Sequence, residues 1–137
     1  MAYWLVKTEP GSWSWDDQMR ERTTDWDGVR NYQAANNMKA MKRGDRIFFY
    51  HSVDEKRIVG IVEVSGEYRP DPSDQSGRFG MVEVTAVKPF ARPVSLQEIK
   101  AEAKLAKLAL VRQSRLSVLP VSDAEWRLIC RMGKTDA

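Results

Sequence analysis

The sequence predicts an α+β fold in which a mixed sheet surrounds one core, and three observations point there. Apolar and β-branched runs of strand length recur at residues 3–8, 46–51, 58–64, 81–87 and, more briefly, 116–119. Helix-opening sequences fall between the first and second of these runs and again after the fourth. No internal repeat and no linker-like stretch divides the 137 residues, so one domain over residues 1–137 is expected. Five strands around one core can close into a small barrel, which removes exposed sheet edges.

Each element follows from local chemistry. Tyr3-Trp4-Leu5-Val6-Lys7-Thr8 is rich in aromatic and branched residues and is stopped by Glu9-Pro10-Gly11, so it reads as a buried strand. Ser14 caps a short helix, with Asp16 and Asp17 suiting its positive end and Trp15 and Met19 on one face. Residues 32–41 form the next helix, with Asn31 as N-cap and Gly44 near the stop. Two strands follow, separated by the polar turn Asp54-Glu55-Lys56. The alternation of Val62 and Val64 with Glu63, and of Val82 and Val84 with Glu83, marks half-buried antiparallel strands. Between them, residues 69–77 read as an exposed loop built of Pro, Asp, Ser and Gly. Ser95-Leu96-Gln97-Glu98 is a capping box, and the chain stays or turns helical again over residues 102–108. Lys100, Lys104 and Lys107 would then share one basic helical stripe. A second capping box, Ser122-Asp123-Ala124-Glu125, opens the last helix. Its apolar arc carries Trp126, Leu128, Ile129, Cys130 and Met132, and Gly133 stops it.

Composition narrows the function classes. The 22 Lys and Arg against 19 Asp and Glu give a net charge of +3, a weak pointer to an anionic partner. No apolar run reaches the roughly 20 residues needed to cross a bilayer, so no membrane role is expected. The start of the chain has neither the basic region nor the long apolar region of a secretory leader. One cysteine cannot close a disulfide within the chain, and the expected setting is a reducing one, cytosolic or nuclear, with the cytoplasm preferred. With one His and one Cys, no cluster has metal-ligand spacing, and no Gly-rich phosphate loop is present. Cys130 lies on an apolar helical arc and reads as a buried inert thiol. No catalytic residue, metal or cofactor is assigned.

Binding chemistry is better represented. Residues 26–37 crowd two aromatics, an arginine and four side-chain amides just ahead of a helix, a mixture suited to gripping a flat hydrogen-bonding ring. Tyr50-His51-Ser52 ends a strand, and Arg112-Gln113-Ser114-Arg115-Leu116-Ser117 places guanidiniums, an amide and hydroxyls before the final strand. Plain structural readings stand beside these. Trp26 can anchor the core, as at least three of the five tryptophans should. Asn31 can be a cap alone, and His51 an ordinary surface residue. Arg112 and Arg115 can be solvated or paired with Asp25 and Asp27. Three polar clusters in so small a chain make one shared cleft the more economical account.

Several blocks in the same order then carry a family resemblance: the Tyr3 to Pro10 strand, Ser14-Trp15-Asp16-Asp17, Trp26-Asp27-Gly28-Val29-Arg30-Asn31-Tyr32-Gln33-Ala34, Phe49-Tyr50-His51-Ser52, and Leu110 to Val118. Together they resemble the EVE domain across nearly the whole chain. The resemblance implies a PUA-like fold, a five-stranded mixed pseudo-barrel with flanking helices. It also implies a single EVE domain that reads a modified base, with members associated with DNA cytosine modifications or with RNA. Carried onto this chain, it makes Trp26 and Tyr32 cleft aromatics, with Trp13 or Trp15 contributing, and gives base-edge contacts to Arg30, Asn31 and Gln33. Tyr50, His51 and Ser52 would line the opposite wall, and Arg112, Gln113, Ser114, Leu116 and Ser117 the floor. Lys100, Lys104, Lys107 and Arg115 would hold backbone phosphates. Many members have Arg-Asn where this chain has Ala35-Asn36, which removes one charged contact.

The expected function is a non-catalytic, monomeric reader of DNA or RNA carrying a modified base, most readily a modified cytosine, taken flipped or single-stranded. A rival enzyme acting on a modified nucleoside would depend on His51 as its only group titrating near neutrality. A small-molecule sensor or protein-interaction module using the same cleft is the third reading.

Overall fold

The computed structural model describes residues 1–136. In chain order it contains β1 (Tyr3–Thr8), α1 (Trp15–Glu21), β2 (Thr23–Trp26), α2 (Tyr32–Ala40), β3 (Arg46–His51), β4 (Arg57–Pro70) and β5 (Gly80–Ser95). After these come α3 (Leu96–Ala101), a 3-10 turn (Ala103–Leu105), α4 (Ala109–Arg112), β6 (Val118–Val121) and α5 (Asp123–Met132). The strands form one six-stranded sheet in the order β2-β5-β4-β3-β1-β6. Only β1 and β3 run parallel, joined by a crossover that holds α1, β2 and α2. The other neighbours are antiparallel, so the sheet is mixed as expected.

Six strands rather than five is the first correction. The additional one, β2, has only four residues, two of the first three exposed, and it pairs with β5 from Thr23↔Thr85 to Trp26↔Val82. A segment so short and polar carries no alternation to read. β4 and β5 also extend well beyond residues 58–64 and 81–87, to 14 and 16 residues, with several register shifts between them. Such bulges break strict alternation and hide the outer halves of both strands.

Helix starts agree closely with the sequence. Ser14, Ser95 and Ser122 each close a capping box, with Asp17, Glu98 and Glu125. Asn31 caps α2 through Ala34 N–H at 2.9 Å. The second correction concerns the basic stripe. Glu102 leaves the helical region (φ −91, ψ 111), α3 ends at Ala101, and the chain re-forms only as a 3-10 turn. Glu102 accepts from Lys104 N–H with its side chain, a local cap that competes with continuing the helix. Lys100, Lys104 and Lys107 therefore do not share one helical face, and only Lys100 belongs to α3.

The core is built from the sheet together with residues of all its flanking helices, among them Trp15, Met38, Ile99, Leu110 and Trp126. Phe48 is fully buried, stacked on Trp126 at 3.8 Å between centroids and meeting Phe90 edge-on at 5.6 Å. Burying a side chain of this size contributes about 1.5–3 kcal/mol. Trp4, Trp15 and Trp126 are all core residues. The Trp15 ring lies directly against Gly60, where an added Cβ would come within 2.5 Å of it, so that strand position admits no side chain. Cys130 is buried on α5, and desolvation pushes its thiol up to about 11, as an inert core thiol requires.

Candidate functional site

The C-terminal end of β1 organises the site. Thr8 C=O accepts from Ser52 N–H at 2.8 Å on the β3 side, and Lys7 N–H donates to Ser117 C=O at 2.9 Å on the β6 side. Three stretches far apart in sequence thus meet at Lys7 and Thr8. Beside them opens a cleft of about 710 Å³, lined by Lys7, Thr8, Trp13, Trp26, Arg30 and Ser117 among others. That volume lies within the roughly 300–1,000 Å³ typical of small-molecule sites.

Trp26 is the aromatic surface of this cleft. It closes β2, is 9% exposed, and meets Phe49 edge-on at 5.7 Å between centroids. Phe49 also receives the edge of Trp15 at 5.0 Å, so the ring is buttressed from the core. Trp13 is half-buried and fixed by its indole N–H donating to Gln18 Oε1 at 2.9 Å. Trp13 therefore lines the cleft, whereas Trp15 stays behind it.

The rim after Trp26 is held by Asp71. Its carboxylate accepts from Gly28 N–H (2.9 Å), Arg30 Nη1 (3.1 Å), and the N–H and hydroxyl of Ser73 (2.8 and 2.6 Å). Gly28 has φ +75, a conformation that glycine adopts without strain and that accompanies this contact. Burial of Asp71 opposes its charge, but the donors from Ser73, Gly28 and Arg30 outweigh that and hold the carboxyl far below its ordinary range. Residues 69–77 are thus not simply an exposed loop, since Asp71 is 2% exposed and staples the loop to the cleft rim.

A family model described as the EVE domain matches residues 2–132. The chain belongs to the EVE domain family. It is 32% identical to thymocyte nuclear protein 1 of Rattus norvegicus, over 98% of this chain and 74% of the relative. Among solved structures it is similar to Rpa0253 from Rhodopseudomonas palustris, with 52% identity, 98% and 94% coverage and a TM-score of 0.93. It is likewise similar to human THYN1 protein in complex with 5-methylcytosine containing DNA, at 30% identity, full coverage of both chains and a TM-score of 0.91. The PUA-like α+β architecture is shared with these structures.

This EVE domain distributes the residues singled out in its sequence over three adjoining hollows. Trp26, Arg30 and Ser117 line the main cleft. Asn31, Gln33, Arg112, Gln113, Ser114, Arg115 and Leu116 line a second, of about 420 Å³. Tyr50, Ser52, Lys100 and again Ser114 line a third, of about 280 Å³, which shares Lys7 with the main cleft. Burial pushes the Tyr50 phenol up to about 12, so it remains protonated at any physiological pH.

Four stand apart, since Lys104, Lys107, Tyr32 and His51 line none of these hollows. Tyr32 is 60% exposed and packs on Phe79 at 5.1 Å, outside the main cleft. His51 is buried. Its Nε2 accepts from Trp15 N–H at 2.9 Å, so the proton resides on Nδ1 and is donated to Glu55 Oε1 at 3.0 Å. That hydrogen bond is the first cause holding Glu55 below the ordinary carboxylate range. With both ring nitrogens engaged, His51 fixes α1 and the following turn rather than lining the cleft. Arg112 and Arg115 do not pair with Asp25 or Asp27: Asp25 pairs with Arg69, and Arg112 Nε donates to Ala106 C=O at 3.0 Å.

Sequence reasoning missed Lys7, Thr8, Asp71 and Phe79. A lysine inside the otherwise apolar first strand was the available signal, because a charge in such a strand needs a reason. Among the described residues no group of three or more His, Cys, Asp and Glu is placed to hold a metal. No helix among them is long and apolar enough to cross a membrane.

Proposed function

We propose that this EVE domain is a non-catalytic reader of nucleic acid, taking a modified cytosine into the Trp26 cleft from a flipped or single-stranded nucleotide. The observation that carries the reading is a cleft large enough for a nucleotide with a core-buttressed tryptophan, in the fold of a relative whose structure holds 5-methylcytosine containing DNA. Extruding a base from a duplex costs a few kcal/mol. Stacking on an aromatic returns about 1–3 kcal/mol, so single-stranded or already weakened sites are favoured. A methyl group in an apolar pocket discriminates by about 1–3 kcal/mol, which sets a moderate preference. Asn31 spends its side-chain oxygen on the helix cap, and its NH₂ is the part left for a ligand. Arg112 and Arg115, both exposed, are placed to meet phosphates at the neighbouring hollow.

His51, on which the enzyme reading depends, has both ring nitrogens hydrogen-bonded within the fold and lines none of the hollows described, which favours binding over catalysis. The test is titration with oligonucleotides carrying modified or unmodified cytosine and adenine, as DNA and RNA, at two salt concentrations. The modified cytosine is expected to bind about tenfold more tightly than the unmodified. Trp26→Ala should abolish that ratio while leaving weak, salt-sensitive binding. Equal affinity for all oligonucleotides, unchanged in Trp26→Ala, would sink the reading.

A further inference from the structure

The smallest of the three hollows has a charge pattern unlike the others. Three lysines line it, Lys7, Lys56 and Lys100, each from a different part of the fold: the end of β1, the β3–β4 turn, and α3. Ser52 and Tyr50 supply hydroxyls beside them, and no carboxylate lines the hollow. The acids of the same turn, Asp54 and Glu55, line an adjoining hollow that shares Lys56 and Lys100. Neither acid forms an ion pair with those lysines among the described residues, and Glu55 is held by His51 and Arg57, each at 3.0 Å.

Lys7 makes the pattern specific. It is half-buried, its Nζ donates to Ser114 C=O at 2.9 Å, and it has no carboxylate partner among the described residues. Burial accordingly lowers its proton affinity from the ordinary lysine range. An ammonium partly withdrawn from water, facing a neutral carbonyl and, 6.0 Å away, the Tyr50 ring, has no anionic partner, and an arriving anion removes that deficit. Lys7 also lines the main cleft, so the hollow begins where the cleft ends.

The turn that presents Lys56 is held in an uncommon shape. Val53 and Lys56 both have positive φ, 70 and 49. A β-branched residue such as Val53 is an outlier there. Lys56 C=O accepts from Leu96 N–H at 2.8 Å, which ties the strained turn to the start of α3 and brings Lys56 to the same hollow as Lys100. The volume of about 280 Å³ falls just under the range of small-molecule sites and leaves ample room for a phosphate group.

We infer that the Lys7–Lys56–Lys100 hollow is a phosphate site, which seats a phosphate of the strand whose base occupies the Trp26 cleft. The inference rests on the base-reading function proposed above and replaces the helical lysine stripe with a different set of cations. Lys7 acts at the junction, touching both the base cleft and the phosphate hollow. Lys104 and Lys107 line none of the hollows described and take no part.

The test uses the whole chain and single-stranded oligonucleotides with one 5-methylcytosine or with cytosine, titrated by fluorescence anisotropy over a series of salt concentrations. Lys56→Asn combined with Lys100→Gln is the informative variant, because Asn tolerates positive φ and Lys100 is exposed. It should weaken both oligonucleotides by about tenfold and make the salt dependence shallower by about 0.7 to 1 in log–log slope. The ratio of modified to unmodified affinity should be unchanged. Lys104→Gln with Lys107→Gln removes the same formal charge outside the hollow and should leave the slope at the wild-type value.

A slope in the first double variant equal to that of the second overturns the phosphate site, even if the base preference stands. A wild-type ratio of one overturns the base reading instead, while the slope comparison still scores the lysines. No binding of either oligonucleotide by wild type overturns both. Competition by free 5-methyl-2′-deoxycytidine 5′-monophosphate, lost in Lys56→Asn/Lys100→Gln, would identify a free nucleotide as the phosphate source. Failure of the monophosphate to compete, with the slope change present, identifies the polymer backbone.

Discussion

Asp45 and Asp71 are both buried, and both gather segments far apart in the sequence, yet they serve different ends of the molecule. Asp45 accepts from Ala2 N–H (3.1 Å), the Trp4 indole (3.0 Å) and Lys42 N–H (3.0 Å), all neutral donors that fix the start of β1 to the start of β3. Asp71 accepts from Gly28, Ser73 and the Arg30 guanidinium, and so ties the cleft rim to the loop after β4. One carboxylate joins the starts of two strands, and the other sets the shape of a cleft edge that it does not itself line. Precision at the cleft is therefore supplied from outside it. This is the usual division between a contacting residue and its support.

The largest effect that would sharpen this contrast is Asp45→Ala. It leaves an indole N–H and two backbone amides without their acceptor, at about 1–3 kcal/mol for a buried group, so a total loss near 3–4 kcal/mol is expected in urea denaturation. Oligonucleotide discrimination should survive in whatever fraction stays folded. A stable Asp45→Ala chain that no longer discriminates would break the contrast.

Asp71→Asn should show the reverse balance. Stability should fall by about 1–2 kcal/mol, chiefly through the Gly28 and Ser73 amides, because the 40% exposed Arg30 makes its ion pair a solvent-screened contribution. Affinity for the modified oligonucleotide should drop about tenfold as the Gly28–Arg30 rim loosens. The pH dependence follows from the depressed carboxyl. Its contribution is complete above the unfolded value near pH 4 and fades as pH falls from there toward the folded value. Stability measured between about pH 4 and pH 2 should therefore decline less steeply in Asp71→Asn than in wild type. Parallel curves would show that Asp71 is not the group responsible.

The smallest effect should be at Tyr32. The ring is 60% exposed and contacts Phe79 outside the main cleft, so Tyr32→Ala should change stability by no more than about 0.5 kcal/mol and leave discrimination intact. A collapse of the modified-to-unmodified ratio would move the recognition surface from the Trp26 side to the Tyr32 side.

The difference between these regions also explains what could be seen in the sequence. Capping boxes, the five apolar runs and the Asn31 cap were legible because each is a local pattern with a local cause. Trp26 and Arg30 drew notice for the same reason, a ring and a guanidinium four residues apart in the chain. β2 escaped because Thr23-Thr24-Asp25-Trp26 offers one apolar residue in four, too few to show a period. The break at Glu102 escaped because a single side chain bonding its own backbone ends a helix that lysine spacing alone would continue. Asp71 sits among Pro, Ser and Asp, the vocabulary of an exposed turn, and only a contact with Gly28, 43 residues away, makes it a buried anchor. Lys7 was visible as an oddity, but its meaning depends on Ser114, 107 residues distant.

That distance has a consequence for how the protein comes into being. The cleft needs Lys7 and Thr8 from the first strand, Trp26 from the crossover that the parallel β1–β3 pairing encloses, and Ser117 from the approach to the last strand. During synthesis, a chain that has not yet emerged beyond Ser117 holds the rings and cations without the hollow they form. The cleft is complete only when the chain through Ser117 has been made.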